Sequence, residues 1–110
     1  MPQIAHTRFI NMLPSPFVQK RIEAEAAALA RMHPTVGACD VTVTAPSAHH
    51  HTGSPFAVHI IVRMPGPDIV ISHEGPENQA HKDVYVAIRD AFDAARNALA
   101  AYKPDHARSA

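Results

Sequence analysis

The sequence of 110 residues has little of several residue types, and each scarcity excludes a class of protein. Its single cysteine, Cys39, excludes an intramolecular disulfide framework and is typical of a reducing compartment. No apolar run approaches the ~18–20 residues that a bilayer-spanning helix needs. The N-terminus lacks the basic and apolar regions of a signal peptide. We therefore expect a cytoplasmic protein with no membrane partner.

The charges of the chain balance, which argues against a further class. Ten lysines and arginines match ten aspartates and glutamates, so the formal net charge at pH 7 is zero. A strong nonspecific polyanion binder is usually basic overall. Nine histidines are nevertheless present, and histidine gains its charge just below neutral pH. We therefore expect the domain to become cationic as the pH falls below about 6.5.

Hydrophobic periodicity predicts six elements in the order β-α-β-β-β-α. Ser15 followed by Pro16 is typical of an N-cap and first helical position, and His33-Pro34 ends that helix. The fold class is therefore α+β, with one four-stranded sheet and two helices on one face. The predicted elements are strands at residues 3–11, 39–44, 56–64 and 68–73, and helices at 16–32 and 81–102.

The length suits one domain, and no internal repeat or second domain is visible. We place this domain at residues 1–103 and a flexible tail at residues 104–110.

Motifs of enzymatic chemistry are missing from the sequence. It contains no glycine-rich phosphate loop, no Gly-x-Ser-x-Gly elbow and no His-Glu-x-x-His. Cys39 lies on the predicted core face of a strand, where a buried structural thiol is a better interpretation than a nucleophile. We therefore predict a protein without catalytic activity, cofactor or small-molecule substrate.

The His49-His50-His51 cluster is the one candidate for a metal site. Adjacent histidines on a loop can bind a divalent ion weakly, and His59, His73 or His81 could complete the ligand set. Specific zinc sites, however, use fixed spacing with cysteine or carboxylate support. We favour a solvated loop that contacts an anionic partner.

A row of cations follows the last predicted helix. Lys82, Arg89, Arg96 and Lys103 recur every seven residues on one flank of the apolar stripe, over about 30 Å of helix. This row is either a solvated flank whose long stems cover the edge of the core or a set of phosphate contacts along an RNA groove. The pattern alone leaves both interpretations open.

Four stretches of the chain resemble one known family. The segment His81-Lys82-Asp83-Val84-Tyr85-Val86-Ala87-Ile88 and its continuation to Arg96 resemble the last helix of the ribosome hibernation promoting factor and ribosome-associated inhibitor family, also called the sigma-54 modulation protein family. The resemblance spans residues 3–102 and is most specific at Asp83-Val84-Tyr85. The other matching stretches are Asn11-Met12 with Pro14-Ser15-Pro16, residues 39–46, and Met64-Pro65-Gly66.

This resemblance implies both a fold and a partner. The implied fold is β-α-β-β-β-α, similar to a double-stranded-RNA-binding domain. The implied function is binding to the 30S ribosomal subunit in the mRNA and tRNA channel, through the 16S rRNA backbone, to suppress translation under stress. Longer members carry a C-terminal dimerisation domain, so we expect this chain to be a short form that does not pair ribosomes through such a domain. We favour a monomer, with pairing through an exposed sheet face or edge as the alternative.

The candidate RNA contacts combine the resemblance with the basic positions of both helices. An alternative of a different class remains: a diverged protein-interaction or stress-response module that kept the fold and lost tight ribosome binding, which the zero net charge favours. The resemblance implies contacts by Lys82, Arg89, Arg96, Arg63, His49, His50, His51 and His59, to which the helix pattern adds Lys103 and Lys20.

Overall fold

The predicted element order and fold class are confirmed by a computed structural model, which describes residues 4–45, 56–73 and 83–102. Histidines 49–51, Lys82, Lys103 and the predicted tail lie outside the described residues, so the domain boundary stays a prediction. The elements are β1 (Ala5–Ile10), α1 (Pro16–Met32), β2 (Ala38–Thr44), β3 (Ala57–Arg63), β4 (Ile69–His73) and α2 (Val84–Ala100).

The four strands form one sheet in the order β1-β2-β3-β4. β1 and β2 are parallel, which requires a crossover, and α1 supplies it. The other two pairs are antiparallel, so β4 runs in the same direction as β1. Both helices follow these two strands, and they therefore begin at the same end of the sheet.

One face of the sheet forms the core and the other face is open. Alternate residues of β2 and β3 are buried, as the period-two pattern predicted. Both helices pack on this buried face, with Ile22 of α1 and Phe92 of α2 fully buried. The core side chains on the two central strands are Cys39, Val41, Val43, Val58, Ile60 and Val62.

The helix starts follow from side-chain caps. The Val18 N–H donates to the Ser15 hydroxyl at 3.3 Å, with Pro16 at the first helical position as predicted. The Tyr85 N–H donates to Asp83 Oδ1 at 2.8 Å, so Asp83 is the N-cap of α2. The predicted start of α2 at residue 81 was therefore too early.

Other predicted boundaries were too generous. β1 ends at Ile10 because Asn11 adopts a left-handed conformation, with φ of 62°. β4 begins at Ile69 because Asp68 is engaged in the preceding turn, where its carboxylate accepts the Met64 N–H at 3.1 Å. α2 ends at Ala100, with Ala101 as its C-cap, two residues earlier than predicted.

Candidate nucleic-acid interface

The described candidate residues divide between two opposite sides of the molecule. Lys20, Arg89 and Arg96 belong to the helical layer. His59 and Arg63 alternate with the buried residues of β3 and therefore face the open side of the sheet. The two groups are separated by the sheet and the core. A partner with a flat surface can therefore contact only one of the two groups at a time.

On α2 both described arginines have carboxylate partners. Arg89 lies 3.1 Å from Asp90. Arg96 pairs with Glu25 of α1 at 3.4 Å and with Asp93 one turn earlier on α2. Burial opposes the charge of Arg96, but hydrogen bonds to Asp93 and Glu25 outweigh it and raise the pKa of the guanidinium. Both arginines are present on α2, but nearby carboxylates largely neutralise their charges.

Helix α1 contributes one of the candidate contacts, Lys20, and a further cation, Arg31, that the candidate set left out. Lys20 and Arg31 are exposed on its outward face, and neither has an ion pair within the part of the chain that the structure describes. Arg21 pairs with Glu25 at 3.1 Å and remains 40% exposed. Arg21 was missed by sequence reasoning, although its position on the flank of the Val18–Ile22 stripe could have indicated it.

The open side of the sheet holds Arg63 in a double ion pair. Arg63 lies 2.6 Å from Asp40 on β2 and 2.9 Å from Asp68. Hydrogen bonds to Asp68 and then Asp40 raise the pKa of this guanidinium. Nearby, His59 Nδ1 lies 3.0 Å from the Ser72 hydroxyl. The main role of Arg63 is therefore structural, because its two ion pairs connect β2, β3 and the β3–β4 turn.

A shallow groove of about 460 Å³ crosses this open face. Sequence reasoning missed Arg8, an exposed residue of β1 that alternates with core positions and lines the groove. Of its two arginines, Arg63 is paired with Asp40, so the groove is not strongly basic. Its other polar lining residues are His6, Thr7 and Thr42.

Among the residues that the structure describes, there is neither a grouped set of metal ligands nor a reactive cysteine nucleophile. Within residues 4–45, 56–73 and 83–102, no three His, Cys, Asp or Glu side chains are grouped to hold a metal ion. The His49–His51 candidate lies outside these ranges. Cys39 is fully buried as predicted, and this burial, followed by the charge of Asp40, raises the pKa of its thiol to about 11. A thiol in this state is a poor nucleophile.

No helix in the described part of the chain combines the length and apolar character needed to cross a bilayer.

Solved structures resemble the chain, including two that cover most of it. A ribosomal subunit interface protein from Coxiella burnetii superposes with a TM-score of 0.69 at 15% identity, over 89% of this chain and 94% of that one. The N-terminal domain of Protein Y from Thermus thermophilus gives a TM-score of 0.64 at 18% identity, over 94% of this chain and 100% of that one. These likenesses show the fold. A search of curated protein sequences found no significant match.

The family itself is identified by a profile match. The profile described as sigma 54 modulation protein / S30EA ribosomal protein matches residues 6–106. This range contains the four stretches that carried the resemblance, including Asp83-Val84-Tyr85. Because the match spans nearly the whole chain and the fold agrees, the chain belongs to the sigma 54 modulation protein / S30EA ribosomal protein family.

Proposed function

We propose that the protein is a hibernation factor that binds the 30S subunit through its 16S rRNA. The profile match over residues 6–106 is the observation that carries this proposal. The name of a similar solved protein, a ribosomal subunit interface protein, supports the same partner. Bound in the mRNA and tRNA channel, the protein suppresses translation under stress. It acts by contact and not by catalysis, in the cytoplasm where ribosomes work.

The helical layer is the proposed RNA-facing surface. Phosphate contacts need cations spaced along an exposed surface, and both helices supply them on the side away from the sheet. Lys82 and Lys103 extend this set in the proposal, as the sequence pattern predicted. The described cations of the layer are Lys20, Arg21, Arg31, Arg89 and Arg96.

The local carboxylates set the strength of this proposed contact. Arg96 must share its guanidinium between Glu25 and a phosphate, and Arg89 must share with Asp90. A cation that is shared with a carboxylate contributes less binding free energy than an unpaired one. The reason is that the RNA repels the carboxylate that loses its partner. We therefore expect moderate affinity and a shallower salt dependence than the same cations would give without their carboxylate partners. His59 and Arg63, on the open side of the sheet, lie outside this proposed surface.

Co-sedimentation with 30S subunits tests the proposal. The protein should sediment with the subunit at low salt. The triple change of Lys82, Arg89 and Arg96 to Ala should weaken binding and reduce the slope of log K against log salt by up to about three. Arg8→Ala, on the open face, is the control and should leave the slope nearly unchanged. A wild-type protein that is absent from the ribosomal fractions under these conditions and under stress contradicts the proposal.

A second candidate is a protein-interaction or stress-response module that lost tight ribosome binding. The ion pairs of Arg63, Arg89 and Arg96 favour it, because these guanidiniums already have anionic partners. The net charge of zero points the same way. Failure to sediment with ribosomes, together with retention of the fold by circular dichroism, would favour this candidate.

A further inference from the structure

An aromatic side chain stands exposed at the start of α1. Phe17 is 77% exposed, although its ring could bury a large apolar area elsewhere. Scattered exposed apolar residues are ordinary, so exposure alone carries no conclusion. The neighbours of Phe17 on the helix surface are therefore decisive.

Those neighbours are cations and small residues. At about 100° per residue, the side chains that follow Phe17 along the outward face of α1 lie opposite the buried Ile22. A docking groove for an apolar helix or peptide would present several large apolar residues at these positions. This face instead presents Lys20, Ala24, Ala27, Ala28 and Arg31.

The carboxylates of α1 lie off this strip. Glu25 is turned toward α2, where it pairs with Arg96. Glu23 is partly buried and has a buried carboxylate oxygen. The outward strip of α1 is thus one aromatic ring with cations and without acidic residues, which complements a polyanion whose bases are accessible.

The second helix repeats one part of this arrangement, an exposed aromatic ring with an arginine four residues later. Tyr85 is the second residue of α2, as Phe17 is of α1, and it is 37% exposed. Each ring is followed four residues later by an arginine, Arg21 on α1 and Arg89 on α2. Since both helices begin at the same end of the sheet, the two aromatic–arginine pairs lie at one end of the helical layer.

We propose that Phe17 is a stacking platform for an unpaired RNA base, with Lys20 contacting the adjacent phosphate. Lys20 lies three residues after Phe17, so both side chains emerge from the same face of the helix. This inference rests on the proposed function and deepens it, since it adds a base contact to a surface otherwise built for phosphates. The proposed ligand is an unpaired nucleotide, because a base in a regular duplex has no free face on which the ring could stack.

Substitution of Phe17 tests the stacking. Phe17→Ala should raise the Kd for 30S subunits on the order of 5- to 150-fold, the range that loss of one base–aromatic stack gives. The slope of log K against log salt should stay unchanged, because no phosphate contact is lost. Lys20→Ala should give the opposite signature, with the slope reduced by about one.

A single tryptophan makes the contact visible. The chain has no tryptophan, so Phe17→Trp introduces one fluorophore at the proposed site. This variant should bind 30S subunits at least as tightly as the wild type, and its fluorescence should be quenched on binding because the indole stacks on a base. Leu13→Ala, which removes an apolar side chain that is 86% exposed and precedes α1, is the control and should bind normally.

The outcomes separate this inference from the proposed function. If the wild type binds 30S subunits and Phe17→Ala binds equally well, the stacking inference fails and the proposed function stands. If Leu13→Ala weakens binding as much as Phe17→Ala, and the emission of the Phe17→Trp variant shifts to the blue without quenching, the partner surface is an apolar protein surface and the inference is overturned. If the wild type does not bind, both fail.

Discussion

Arg96 of α2 donates a hydrogen bond to Glu25 of α1 across 3.4 Å, so an arginine expected to contact RNA also joins the two helices. Glu25 accepts a second hydrogen bond, from Arg21, at 3.1 Å. Its side chain is only 16% exposed, so the pair is partly shielded from water. Glu25 therefore partly neutralises two cations on the proposed RNA surface.

Replacing Glu25 by Gln should change stability and affinity in opposite directions. The ion pairs with Arg21 and Arg96 are lost, which should lower the free energy of unfolding by up to about 1 kcal/mol in urea titrations. The two arginines then become available to phosphates, so the affinity for 30S subunits should rise several-fold at low salt, with a steeper salt dependence.

Asp68→Asn is the charge-matched control for that experiment. It also adds one unit to the net charge, but Asp68 lies in the β3–β4 turn beside Arg63. If the helical layer faces the RNA, only Glu25→Gln should raise the affinity. An equal or larger rise with Asp68→Asn would place the RNA contact on the Arg63 side and contradict the proposed surface.

Local patterns in the sequence predicted the elements, the faces of β2 and β3, and the Ser15 cap, because alternation and capping depend on residues a few positions apart. The ion pairs could not be predicted in this way. Glu25 and Arg96 are 71 positions apart, and their contact exists only once two helices pack side by side. Arg63 meets Asp40 only in the β2–β3 register that sets Ala38 opposite Arg63. A seven-residue repeat of cations therefore predicted a row of charges, but not their partners.

Cys39 should be unreactive in the folded protein and destabilising at high pH. Its folded-state pKa of about 11 exceeds the ordinary value of 9.0, so the neutral thiol is favoured by folding. The corresponding stability is complete below about pH 9 and is lost as the pH rises to 11. Alkylation by iodoacetamide at pH 8 should follow global unfolding. Between pH 9 and 11, the free energy of unfolding of Cys39→Ala should decline less than that of the wild type. Rapid alkylation of the native protein would show that Cys39 is accessible and refute its burial.

Asp68 should stabilise the fold at neutral pH and cease to do so in acid. The Met64 N–H and then the Arg63 guanidinium hold the pKa of this carboxyl below its usual range. The charged form is thus favoured by folding, so its contribution is present above the unfolded pKa of about 3.9 and disappears as the pH falls through the lower folded value. Asp68→Asn should have a lower Tm than the wild type at pH 6, and the two Tm values should converge at strongly acidic pH. A constant difference would exclude titration of Asp68 as its cause.

Tyr102 should hold the end of α2 on the β3–β4 turn. Its hydroxyl donates to the Pro67 carbonyl at 2.8 Å, two residues beyond the helix end at Ala100. Tyr102→Phe keeps the ring and removes only this bond, so the free energy of unfolding should fall by about 0.5–1.5 kcal/mol.

Tyr85→Phe is the matched control for this last change, because the Tyr85 hydroxyl has no hydrogen bond within residues 4–45, 56–73 and 83–102. It should leave stability within about 0.5 kcal/mol of the wild type. Amide hydrogen exchange should also accelerate in the last turn of α2 for Tyr102→Phe alone, because that turn would open more easily. Equal destabilisation by the two changes would mean that the Tyr102–Pro67 bond contributes no net stability.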